Sequence, residues 1–147
     1  MKTIATILLI VLSATADANS AFDCDNLLGW WQGERFEHEL GTQITEQSGF
    51  YEGGTFVMQF VLDDGVTQRT QFESGHWTCD GDKLTLATTR VDGHEILNLA
   101  IYKLVDLNAA YMRVALEHTD CSLVLGQCEG AIYDAVKLPE PDESCGC

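Results

Sequence analysis

The residues with chemistry to offer are six cysteines, four histidines and a surplus of carboxylates, and they do not converge on a catalytic motif. No serine sits in the strained Gly-x-Ser-x-Gly elbow that exposes a hydrolase nucleophile. His38, His76, His94 and His118 fall on four different segments. Glu37-His38-Glu39 offers two acids and a base, but strand neighbours point to opposite faces, so His38 turns away from Glu37 and Glu39. A hydrated strand end is the simpler reading. His118-Thr119-Asp120-Cys121 carries soft ligands, yet no CxxC pair is repeated and no histidine pair has zinc spacing. The expectation is no catalytic set, no metal and no cofactor. A barrel enzyme of cyclase or isomerase type ranks last among the functional readings.

Cysteine chemistry depends on compartment. Met1-Lys2-Thr3 is followed by an apolar run from Ile4 to Leu12 and then by Ser13, Ala14, Ala16 and Ala18. A short basic start, an apolar middle and small residues form a cleaved signal peptide, placed at residues 1–18, with cleavage after Ala16 or Ala21 as alternatives. The apolar run is shorter than the ~20 residues a membrane helix needs. The predicted location is secreted or periplasmic, with no membrane insertion after cleavage. Cys24, Cys79, Cys121, Cys128, Cys145 and Cys147 all follow the leader, and an even count in an exported chain implies disulfides. Cys145-Gly146-Cys147 is close enough for thiol–disulfide exchange. The simpler alternative clips each tail cysteine of 139–147 to a different partner.

The formal charge is −15, from 23 acids against 8 bases. Such acidity argues against nucleic acid and anionic membranes as partners. It favours solubility and allows a basic protein partner, as an exported inhibitor would have.

The elements that must position these residues are strands. Turn dipeptides recur at Gly53-Gly54, Asp64-Gly65, Asp80-Gly81, Asp92-Gly93 and Glu129-Gly130, with β-branched and aromatic residues at period two between them. A helical turn is predicted over 23–28 and a first strand over 29–38. A polar loop with a short strand at 43–45 fills 39–49, and a strand follows over 50–62. Further strands are expected over 66–79 with a bulge at Ser74-Gly75, then over 83–91, 94–107, 110–118 and 130–138. About eight antiparallel strands most simply close into an up-and-down barrel over 19–138. A two-sheet sandwich is the alternative. Trp30 and Trp31 must point to opposite faces of the first strand. Alternation assigns an apolar inward set of Phe56, Met58, Phe60, Leu84, Leu86, Leu99, Ile101, Met112, Val114 and Leu116. Tyr102, Tyr111, Arg113 and His76 are the polar groups available to orient a ligand. Such a set either packs solid or walls a cavity for a small apolar or amphipathic molecule. The phase that buries Met112 turns Arg113 outward.

Leu28-Gly29-Trp30-Trp31 resembles the Gly-x-Trp that opens the first strand of lipocalins, with Trp31 in the Trp place. The segment Ser74-Gly75-His76-Trp77-Thr78-Cys79-Asp80-Gly81-Asp82-Lys83-Leu84-Thr85-Leu86 is similar to the SGxW-x-x-DGD-x-LTLT segment of bacterial lipocalin-like domains. Gly53-Gly54-Thr55-Phe56 is similar to their upstream DGTF. The resemblance covers roughly Leu27 to Leu138 and implies an eight-stranded barrel with one closed and one open end. It implies Trp31 as a plug at the closed end, with a late basic residue packed over it, for which Arg113 is the candidate. The TDY-type motif is absent, and Asp106-Leu107-Asn108 occupies its turn. Lipocalins often tie a C-terminal cysteine to a mid-barrel strand, and Cys79 holds a comparable place. The preferred pairing is therefore Cys121–Cys128, with Cys24 and Cys79 each taking one of Cys145 and Cys147.

Overall fold

Period-two alternation becomes eight antiparallel strands. The computed structural model describes residues 22–120 and 130–139. A 3-10 turn, Cys24–Leu27, leads into β1 (Gly29–Glu37), β2 (Thr42–Tyr51), β3 (Thr55–Asp63) and β4 (Gln68–Asp80). The chain continues through β5 (Lys83–Val91), β6 (His94–Leu107), β7 (Tyr111–His118) and β8 (Ile132–Lys137). Each strand pairs with its neighbour in sequence, and β8 returns to β1, so the sheet is a closed up-and-down barrel. Closure removes both sheet edges. Among the described residues no helix is long and apolar enough to cross a membrane. The expected leader over residues 1–18, the tail from 140 onwards, and Cys121, Cys128, Cys145 and Cys147 lie outside the described residues.

The expected strand over 50–62 is two strands. Gly53 and Gly54 have φ of 86° and 77°, a left-handed backbone that favours glycine, and they turn β2 into β3. The expected polar loop over 39–49 is mostly β2, whose whole length pairs with β1 on one side and β3 on the other. The bulge falls where expected, at Ser74/Gly75. There a Cβ on Gly75 would stand 2.0 Å from the Ala87 carbonyl oxygen, so only glycine allows β4 and β5 to approach this closely.

The closed end is built from Trp31, which is fully buried. Its indole Nε1 donates to the Leu27 carbonyl at 2.7 Å, fastening the 3-10 turn across the barrel end. Phe50, Phe56 and Trp77 pack beside it, with Phe50–Trp77 ring centres 5.7 Å apart and edge-on. Trp30 faces outward, edge-on to Tyr51. The basic residue over Trp31 is Lys137, not Arg113: its ammonium lies 4.7 Å from the ring centre. Lys137 also donates to the carbonyls of Asn26 (2.8 Å) and Leu28, so one cation ties β8, β1 and the turn together. Arg113 stands on the outer face of β7, paired with Asp134 at 2.7 Å. The phase that buries Met112 and Val114 turns it out of the barrel.

Cys24 and Cys79 are bonded to each other, with Cα atoms 5.9 Å apart. This corrects the expectation that each would take a tail cysteine. The 3-10 turn lies across the closed end, where β4 also finishes, so the two thiols meet there. A loop of this length adds about 4 kcal/mol on the chain-entropy account. The bond holds the plug in place.

Candidate functional site: a polar-mouthed cavity inside the barrel

Above the Trp31 floor the interior is not filled. A cavity of about 170 Å³ remains. Its apolar wall comes from Phe50, Met58, Leu84, Leu86, Ala100 and Met112, with Phe60 and Val114 adjoining. Seven of the residues expected to face a pocket border it: Met58, Phe60, Leu84, Leu86, Tyr102, Met112 and Val114. Phe56 and Leu116 are buried in the core but do not border the cavity. Leu99 and Ile101 stand on the outer face of β6, where Leu99 is 46% exposed. Because β6 is apolar on both faces, alternation alone cannot choose its phase; Ala100, Tyr102 and Leu104 take the inside. Of the polar groups proposed to orient a ligand, only Tyr102 reaches the cavity. His76 is exposed on β4, and Tyr111 stands outside the barrel, donating to Asp134.

The upper wall is polar, and most of it was not anticipated. Arg35 (β1), Glu46 and Ser48 (β2), Gln71 and Glu73 (β4), Thr88 (β5), Asn98 and Tyr102 (β6) and Tyr133 (β8) border the cavity from six strands. Strand alternation explains their convergence, since each occupies the inward phase of its strand. Arg35 meets Glu46 at 3.5 Å, and its guanidinium lies 4.9 Å from the Tyr133 ring centre. Ser48 donates to the other Glu46 oxygen at 2.7 Å. Glu73 accepts from the Gln71 amide at 2.8 Å and the Thr88 hydroxyl at 3.4 Å. The Tyr102 and Tyr133 rings meet edge-on, 6.1 Å apart.

Burial dominates the electrostatics of this wall. It pushes the Glu73 carboxyl above the ordinary glutamate value, and the charges of Glu46 and Asp92 add to the rise. The bonds from Gln71 and Thr88 oppose it. The Tyr102 phenol is raised by burial first, then by Glu46, Tyr133 and Glu73. Tyr133 is raised for the same leading reason, with the Arg35 charge opposing. Tyr102 therefore stays a neutral phenol at physiological pH.

Of the candidate metal or catalytic residues, those that are described lie apart, while Cys121 lies outside the described residues. His38 lies beyond β1 with its ring edge-on to Phe36, and Glu39 is in the following turn. His118 is exposed at the end of β7. Among the described residues no group of three His, Cys, Asp or Glu could hold a metal ion. No protein-family model and no curated protein matches this chain.

Proposed function

We propose that this protein is an exported, lipocalin-like carrier that holds one small amphipathic molecule inside the barrel. The observation that carries the reading is a cavity whose lower wall is apolar and whose upper wall is polar. A ligand with an apolar body and one polar group matches both walls at once. Size limits it: an apolar cavity of about 150 Å³ accepts a benzene ring, so about 170 Å³ suits one ring with a short substituent. Long-chain lipids are too large. The export part of the reading is supported by the leader-like start and by the Cys24–Cys79 bond, which persists in oxidising compartments.

The test is thermal shift and calorimetry with compounds of about ten non-hydrogen atoms. Native mass spectrometry of protein from its own host complements it. Binding ligand at 100 times Kd stabilises the fold by about 2.7 kcal/mol. Ala100→Leu projects into the cavity, and it should abolish the shift while leaving the melt cooperative. A wild-type protein that responds to no compound, and that releases no small molecule on denaturation, would overturn the carrier reading.

A further inference from the structure

The cavity wall carries more negative charge than positive, and that imbalance names a ligand class. We propose that the cavity selects a small organic cation, a primary amine on an aromatic or short alkyl body, with Glu73 as counter-ion and Tyr102 as hydrogen-bond acceptor. The proposal rests on the carrier reading and specifies its ligand.

Three observations carry it. The two inward carboxylates, Glu46 and Glu73, face one inward guanidinium, Arg35. Arg35 is committed to Glu46 at 3.5 Å and stacked over Tyr133, which leaves Glu73 held by neutral donors alone, Gln71 and Thr88. A buried carboxylate without a cation is a costly arrangement that an incoming ammonium relieves. The second observation is Tyr102. It borders the cavity, and among the described residues its hydroxyl has no hydrogen-bond partner. Burial and the charges of Glu46 and Glu73 act on that hydroxyl together, so it shares their end of the cavity. An ammonium offers three donors and no acceptor. Glu73 and the Tyr102 oxygen can each take one, and the faces of Tyr102 and Tyr133 favour a cation beside them. The third is geometry. Met58 pairs directly with Glu73 across β3 and β4, and Leu84 with Tyr102 across β5 and β6. The polar groups thus meet the apolar wall within one side-chain length, the span of a two-carbon arm between a ring and an amine.

Phenethylamine, phenethyl alcohol and 3-phenylpropanoate share one body and differ in charge, and they are the probes. Calorimetry at neutral pH should give the amine at least about tenfold tighter than the alcohol, the ratio of a charge-assisted to a neutral hydrogen bond. The carboxylate should not bind. Glu73→Gln should collapse the preference for the amine over the alcohol to near unity. Tyr102→Phe should weaken the amine several-fold. If the alcohol binds wild-type protein as well as the amine does, or if the carboxylate binds best, the cation proposal falls and the carrier reading stands. If none of the three binds wild-type protein, and broader screening also fails, both fall. The wild-type comparison needs no variant, so a variant that misfolds does not shield the proposal.

Discussion

Glu73 is a carboxyl set against an apolar wall, where burial opposes its charge. A carboxyl raised by burial binds its proton more readily in the folded state than in the unfolded chain. Stability from this group is therefore greatest below the ordinary glutamate pKa and is lost as pH rises through the raised value. Glu46 and Asp92 deepen the loss, while Gln71 and Thr88 moderate it. Glu73→Gln keeps the shape and removes the charge, so the variant should melt a few degrees higher than wild type at neutral pH. Below the glutamate pKa the two melts should converge. Thermal melts across pH 3 to 8, compared as differences, isolate this group from Asp64 and Asp134, whose lowered values act in the opposite direction. A variant no more stable than wild type at neutral pH would show that Glu73 is not strained by its burial. Nothing in the sequence marked Glu73 for attention. The same holds for Arg35, Glu46 and Tyr133: the ion pair and the ring contact that join them cross between strands, and a one-dimensional reading weighs only near neighbours. The apolar half of the wall was legible because Met58, Phe60, Leu84, Leu86, Met112 and Val114 keep period two.

At the scale of elements, β2 shows why the polar half was not legible. Its inward face reads Thr42, Ile44, Glu46, Ser48, Phe50, so apolar alternation fails where the strand builds the cavity wall. The first half of β4, with Gln71 and Glu73 inward, is polar as well, yet the strand expected over 66–79 matches it, because Asp64-Gly65 and Asp80-Gly81 delimit it. In β2 the polar inward residues erase the strand signal, since no such turn separates them from the strand expected over 50–62. Where inward positions are apolar, as along β7, the expected strand agrees with the observed one. The β4–β5 ribbon depends instead on Gly75, because a methyl group there meets the Ala87 carbonyl and the backbone must give way. Gly75→Ala should destabilise the fold by about 3 kcal/mol, the upper range for overpacking. Urea unfolding measures it through the midpoint with the slope unchanged. A loss under about 0.5 kcal/mol, the size of an ordinary surface change, would mean the bulge relaxes freely.

At the scale of the whole molecule, a chain with a formal charge of −15 encloses a cavity that the local wall suits to a cation. The two fields act at different stages. The exterior field reaches about 30 Å at 0.01 M salt and about 3 Å at 1 M, so it governs approach and fades with screening. Once the ligand is inside, Glu73 and Tyr102 hold it behind the barrel wall, where salt screens poorly. The association rate of phenethylamine should therefore fall several-fold between 0.01 M and 0.5 M salt, while its dissociation rate changes by less than about twofold. Phenethyl alcohol has no charge to steer and should show no salt dependence in either rate. Stopped-flow or NMR line-shape kinetics over that range separates the stages. Salt-insensitive association of the amine would assign selectivity to the cavity wall alone. Equal salt dependence of both compounds would show a general effect on the barrel rather than steering. The distinction ties the net acidity of the chain, which by itself says only that the protein is well solvated, to Glu73, a cavity carboxylate that no ion pair among the described residues neutralises.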